Sequence, residues 1–444
     1  MRVKRSTGIT SSERFLARMC EQCFLSLWSY PNLFNDKGGA GSASGQELCD
    51  LLVVFGNDVL IFSDKSCEYP SGSDELVNWR RWYKRAIRKS ADQIAGAERW
   101  IIHHPDRIYL DQACSRRLPI SIPPRDRIRI HRIMVATGAV GERDVPGLRL
   151  QPSVVGDVMP TTIGQILDAG KFVHVLDEVS LSSVLMELST TADLVDYFCS
   201  KEAWIVSGGL RSAECELDLL AYYLWNARTF PSSASPMSVP GGEWERLVSS
   251  RAYASKWIAD EQSFFWDRLI ELFNRNYNEE SLESGNDISI IDYESALRFM
   301  AAESRLSRRV LSDAIIERMH RAVDGWVASI LSSENPEVTY VLLVGPGTDK
   351  SSHADYRMYR SAILDFRCQV AKIIRPEIRW VVGLAVDAMG AVGSSENIIV
   401  LDTKDWGPSE FAQAKSIQHK YKFFLPERYE LIKQHEWEYP EIKR

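Results

Sequence analysis

The sequence predicts a mixed α/β protein built from more than one domain, and three observations carry that expectation. Residues 45–65 alternate as a two-stranded hairpin set between helical patterns, residues 243–331 repeat apolar positions at helical spacing, and roughly the last hundred residues return to α/β. At 444 residues the chain is too long for one compact core, so two or three domains are expected. We place them at 1–135, at 136–335 (a mixed, then mainly helical middle region with a Pro- and Ser-rich linker at 229–242) and at 336–444.

Composition narrows the class. With 45% hydrophobic and 25% charged residues the chain has an ordinary globular balance. No uninterrupted apolar run approaches the ~20 residues a membrane span needs. Met1–Ser6 is basic but no apolar stretch follows, so no secretory signal is expected. The eight cysteines are sparse, and Cys20 and Cys23 form the only CxxC, within a helical pattern and with no second pair to complete a zinc site. Reduced thiols and a cytoplasmic location are expected. The net charge of −7 argues against sequence-blind nucleic-acid binding by the whole surface. Between Trp79 and Arg132, however, fourteen Arg and Lys stand against five Asp and Glu, a local basic island.

In order, Thr10 and Glu13 fit a capping box opening an amphipathic helix that ends near Trp28. Ser29–Phe34 reads as a short strand and residues 35–46, with four glycines, as a loop. Leu51–Phe55 and Val59–Phe62 are the hairpin strands, joined by Gly56-Asn57-Asp58. After a loop around Ser71–Ser73, a helix runs from about Asp74 to Ile102, burying Trp79, Trp82, Tyr83, Ala86, Ile87, Ile94, Ala97 and Trp100. Arg81, Lys84, Arg85, Arg88 and Lys89 crowd one exposed side of it. Strands at Arg107–Leu110 and Ile128–Val135 complete an α-(β)-β-β-α-β-β order. Further on, a strand at Phe172–Leu176 is followed by helices at about 180–188, 191–205 and 213–228. A helical block covers 243–277 and 293–331, with an acidic loop at 278–287 between its halves. Last come strands at Thr339–Val344, Arg379–Val386 and Asn397–Leu401, with helices at 354–374 and after Pro408.

An antiparallel hairpin brings the start of its first strand beside the end of its second, so Asp50 meets the Ser63-Asp64-Lys65 end. A carboxylate and a lysine at one sheet edge are what a magnesium-dependent phosphodiester hydrolase needs: one holds the metal, the other neutralises charge on water and phosphate. The basic helix that follows supplies a phosphate-facing surface.

These residues resemble the PD-(D/E)XK (restriction-endonuclease-like) nuclease superfamily over about Thr10–Val135. The resemblance implies an αβββαβ core and a metal-dependent nuclease, DNA favoured over RNA, of the kind found among bacterial restriction and anti-phage effectors. It implies Asp50, Asp64, Lys65 and Glu47 as catalytic residues and Mg²⁺ or Mn²⁺ on Asp50 and Asp64. Arg81, Lys84, Arg85, Arg88, Lys89 and Gln93 would contact nucleic acid. One position departs from the pattern. Strand alternation puts Ile61, Ser63 and Lys65 on one face and Asp64 on the other, so serine stands where the second acid belongs. A bulge could turn Asp64 inward, or Glu47 or Glu21 could replace the missing carboxylate. Failing both, the domain is a catalytically inactive nuclease-like module that binds nucleic acid or serves as a scaffold subunit. The middle and C-terminal regions are left for a protein partner or self-association.

Two C-terminal stretches compete for attention. Glu377 with Asp402 and Lys404 imitates the same motif in acidic surroundings. Gly345–Ser351 follows a strand, but Pro346 removes a cradling N–H and Asp349 replaces the glycine before lysine, so it reads as a turn rather than a phosphate loop. The eight histidines form no cluster.

Overall fold

The computed structural model describes residue 8 and residues 10–37, 44–68, 70–71, 73–137, 164–166, 171–231, 235–278, 290–348, 353–391, 396–425 and 436–439. The centre of the glycine loop at 38–43, Gly72, the acidic loop at 279–289, Asp349–Ser351 and the side chain of Trp79 lie outside this set. The chain packs as two compact units, Val3–Tyr253 and Ala254–Arg444.

In the first unit the order is α1 (Ser11–Trp28), β1 (Ser29–Asn35), β2 (Gln46–Phe55), β3 (Asp58–Ser66), α2 (Glu75–Tyr83), a π-helical turn (Lys84–Arg88), α3 (Lys89–His103), β4 (Ile108–Tyr109), β5 (Arg129–Thr137), β6 (Gly164–Ile166) and β7 (Phe172–Asp177). Then come α4 (Glu178–Glu187), α5 (Thr191–Val206), β8 (Leu210–Ala213), α6 (Glu216–Trp225), β9 (Met237–Val239), α7 (Glu243–Val248) and α8 (Arg251–Asp260), the last crossing into the second unit.

One seven-stranded sheet organises this unit, in the order β4-β1-β2-β3-β5-β7-β6. β1, β2 and β3 form an antiparallel meander, and β5 then lies parallel to β3 with α2 and α3 in the connection. The sheet continues past residue 135, because β7 pairs parallel to β5. The hairpin turn is tighter than expected. Gly56, at φ 60°, and Asn57 suffice, since Phe55 already pairs with Asp58. Asp58 is therefore no turn residue; it is buried at the start of β3, where it binds Arg129 at 2.6 Å and His131 at 2.8 Å.

The apolar alternation of β2 and β3 serves both faces. Leu52, Val54, Val59 and Ile61 pack under Trp82, Ile87 and Ile94 of the helical layer. On the other face Phe24 of α1 meets Phe62 edge-on at 6.2 Å, and Trp28 meets Phe55 at 5.2 Å. Capping sets where the helices begin: the Thr10–Glu13 box opens α1, and Asp74 accepts from the Val77 amide to open α2. The expected long helix is continuous in path but carries the π turn at its centre. Part of the expected linker is structured, since β9 pairs parallel with β8.

The second unit holds α9 (Phe264–Asn278), α10 (Ile290–Ala301), α11 (Arg305–Arg321), β10 (Val327–Ser332), β11 (Val338–Gly345), α12 (His353–Ile374), β12 (Trp380–Asp387), β13 (Asn397–Asp402) and α13 (Pro408–Tyr421). Its sheet runs β10-β11-β12-β13, with β11 and β12 parallel and α12 crossing between them. α12 packs so closely that a Cβ on Gly383 would stand 2.5 Å from the Cys368 sulfur. The helix expected to reach Leu331 stops earlier. Gly325 interrupts it, and Val327–Ser332 pairs antiparallel with β11 instead. In α11 the polar sequence hides a buried network: Arg305 and Arg308 bind Asp267, and Arg309 binds Asp260 at 2.6 Å.

Trp82 is fully buried and its indole N–H donates to the Cys67 carbonyl at 3.1 Å. Replacing it with alanine is expected to destabilise the first unit by about 3–5 kcal/mol, read as a fall in the urea midpoint at unchanged slope.

Candidate functional site

The β2–β3 ladder pairs Phe55 with Asp58 through to Leu51 with Phe62. Asp50 stands one residue beyond it, and its Oδ2 accepts a hydrogen bond from the Asp64 amide at 2.7 Å. The carboxylate thus closes the sheet edge where the backbone pairing ends. Asp50 is only 7% exposed. Burial pushes its pKa up to about 7; the Asp64 amide opposes the rise, while the carboxylates of Glu47, Asp64 and Glu13 add to it.

Three of those four acids were legible in the sequence as site candidates; Glu13 was not. It is the third residue of α1, with its Oε2 receiving the Thr10 amide at 3.3 Å and the Asn32 side-chain amide at 2.8 Å. Asn32 holds a left-handed φ of 50° in β1, which places its side chain for that contact. Glu13 therefore both caps its helix and sits near enough to raise Asp50. Glu21, two turns further along α1, is exposed and is not among the acids that chiefly raise Asp50. Glu47 is exposed at the start of β2.

β3 carries no bulge at Asp64, yet the Asp64 Oδ1 is buried and its carboxylate lies near enough to raise Asp50. β3 pairs with β5 without a register shift from Asp58 through Ser66. Its alternation is intact: Ile61 packs under α2 and α3, and Phe62 meets α1. Ser63 follows Ile61, its hydroxyl donating to Gln93 Oε1 at 3.4 Å, which ties the end of β3 to α3. Lys65 is half-buried at the same edge and has no hydrogen-bond or ion-pair partner among the described residues.

The fold also sorts the basic island. Arg107 pairs with Asp36, Arg116 with Asp111, Arg129 with Asp58 and Arg132 with Glu98, each within 3.2 Å. Arg81, Lys84, Arg88 and Lys89 are exposed and have no hydrogen-bond or ion-pair partner among the described residues. Arg85 only approaches the Glu68 carbonyl, at 3.5 Å. All but Arg81 and Lys89 lie on the π turn itself, and Gln93 follows one turn later. Five of the exposed basic residues thus fall on one helical segment that the Ser63–Gln93 contact ties to the end of β3.

Among the described residues no three His, Cys, Asp or Glu side chains stand close enough to hold a metal ion together. The charged groups that raise Asp50 are all carboxylates, the kind of oxygen donor a hard divalent cation takes. Such a cation keeps several waters and takes one or two protein carboxylates.

The C-terminal imitation of the motif is occupied by its own arginines. Asp402 takes both ends of Arg379, at 3.0 and 2.9 Å, and those bonds hold its carboxyl below the usual range. Glu377 binds Arg375 at 2.6 Å. At the start of the stretch read as a turn, the Gly347 amide donates to the Tyr356 hydroxyl at 3.1 Å.

Asp50 also makes a prediction about pH. With its folded pKa above the unfolded value of 3.8, the folded state holds a proton that the unfolded chain has released. The folded state is therefore favoured at the acid end of this window, and that advantage is lost as pH rises through about 7. In EDTA, the stability of Asp50→Asn relative to wild type is expected to rise by roughly 2–3 kcal/mol between pH 5 and pH 8, read from urea midpoints. No family model matches the chain, and no curated protein or solved structure gives a match to it.

Proposed function

We propose that the first unit is a metal-dependent phosphodiester hydrolase acting on nucleic acid, with DNA the favoured substrate. The observation that carries this reading is the end of β2 and β3 where the buried Asp50 carboxylate accepts from the Asp64 amide, with half-buried Lys65 the next residue of the strand and exposed Lys84 and Arg88 on the π turn. The order of α1, the β1–β3 meander, the α2–α3 connection and parallel β5 agrees with the αβββαβ core that the sequence resemblance implies.

In this reading Asp50 is the principal metal-holding carboxylate, with Glu47, Asp64 and Glu13 as the acids that act on it. A bound Mg²⁺ or Mn²⁺ would supply Lewis-acid activation of water and charge neutralisation at the scissile phosphate. Lys65, half-buried and unpartnered among the described residues, presents its ammonium to a phosphate oxygen or to the attacking water. Arg81, Lys84, Arg85, Arg88 and Lys89 grip the backbone phosphates, and Gln93 fixes the Ser63 end of β3 against α3.

A second reading has its own observation. Ser63, not an acid, shares the Lys65 face, and no three-ligand group forms among the described residues. A nuclease-like module that binds nucleic acid without cutting it, as a subunit of a larger complex, is the alternative.

Cleavage of plasmid, single-stranded DNA and RNA in Mg²⁺ or Mn²⁺ separates the two. Asp50→Asn and Lys65→Ala are each expected to lower cleavage by roughly 10²-fold or more while leaving binding in place. Cleavage that survives both changes would contradict the proposed site, and its loss in Lys404→Ala would move the chemistry to the second unit. Binding without cleavage by any form would favour the alternative. Separately, Arg88→Ala and Lys89→Ala are expected to weaken binding evenly across sequences, each lowering the salt-dependence slope by about 1. That effect is read from affinities between 50 and 200 mM salt.

A further inference from the structure

The second unit contains a cavity of about 270 Å³ at the carboxyl end of β12, between α9, α11 and the chain that follows the strand. In sheets with parallel strands, ligands bind outside the carboxyl ends of those strands. Here β11 and β12 are the parallel pair, and both end beside this cavity. Its walls are apolar: Phe265, Leu269 and Leu272 from α9, Met319 from α11, and Met389 and Ala391 after β12. The floor is held in place. The Met389 amide donates to the Met319 carbonyl at 3.0 Å, and the Ala388 amide to the Gly345 carbonyl at 2.7 Å.

Three ionisable groups line the cavity, and two are already engaged. Asp387 is ion-paired with the fully buried Arg360 and accepts from the Tyr356 hydroxyl at 2.8 Å. Glu396 accepts from the Asn276 side-chain amide at 3.3 Å. Arg268 is exposed at the margin and has no hydrogen-bond or ion-pair partner among the described residues. Arg360 offsets the Asp387 charge and Glu396 keeps its own, so Arg268 is the cation of this lining without an ion-pair partner among the described residues. Its volume is nearly twice the ~150 Å³ that admits a benzene ring, which corresponds to a bicyclic ring or an aliphatic body of similar size.

We propose that this cavity binds a small amphipathic anion, its apolar body between α9 and α11 and its carboxylate or phosphate monoester on the Arg268 guanidinium. The site is independent of the nuclease reading and holds whether or not the first unit cleaves nucleic acid. Isothermal titration and thermal-shift measurements on the full chain test it, using indole-3-acetate and phenyl phosphate against neutral indole and cationic tryptamine. Indole-3-acetate or phenyl phosphate is expected to bind saturably and raise the melting temperature, with indole and tryptamine at least about tenfold weaker. Which anion binds more tightly distinguishes a carboxylate from a phosphate ester. Arg268→Ala is expected to lower anion affinity by about tenfold or more while leaving the melting temperature of the free protein unchanged, and Arg268→Lys to retain part of it. The proposal is overturned if neither anion binds up to millimolar concentration, if indole or tryptamine binds as tightly as the anions, or if Arg268→Ala binds them unchanged.

Discussion

The hydrogen bond from the Asp64 amide to the Asp50 carboxylate is the interaction around which the first unit is arranged. It sits where the β2–β3 ladder gives out, so a side chain takes over a donor that backbone pairing would otherwise satisfy. One amide does not repay the burial of a carboxylate, and three further carboxylates lie near enough to oppose its ionisation. A chain selected for stability alone would place a neutral acceptor there. The arrangement makes chemical sense when something positively charged shares the edge, whether a cation, Lys65 or both.

The same economy of charge appears in the basic island. A chain of net charge −7 cannot attract nucleic acid over its whole surface, so any phosphate-binding face has to be local. Folding contributes to this by pairing Arg107, Arg116, Arg129 and Arg132 with acids and leaving Lys84, Arg85 and Arg88 of the π turn exposed. A π turn widens the helix by a residue and spreads Lys84, Arg85 and Arg88 along the surface above buried Ala86 and Ile87. The Ser63–Gln93 contact anchors this segment to the strand that carries Lys65, so basic face and carboxylate edge belong to one rigid layer.

Which features were legible in the sequence follows from the range of the interaction behind each. The hairpin, the capping box at Thr10 and the amphipathic helices rest on contacts within a few residues, and pattern was enough for them. Glu13 read only as a cap, because its proximity to Asp50 arises when α1 docks across the sheet. Asp58 read as a turn residue because its partners, Arg129 and His131, lie more than seventy positions away. Val327–Ser332 read as helix because the edge of β11 that captures it cannot be seen in local periodicity. Asp402 and Lys404 share the motif's spacing at a strand end, but the sequence did not show that Arg379 claims the aspartate.

The central claim is that Asp50 is a cation-holding carboxylate, and Mn²⁺ binding measured by calorimetry at pH 6 in buffers of different ionisation enthalpy tests it most directly. Because Asp50 is protonated below about 7, binding should release close to one proton per cation, and Asp50→Asn should abolish both binding and release. Binding that persists unchanged in Asp50→Asn, or that releases no proton at pH 6, would contradict the account.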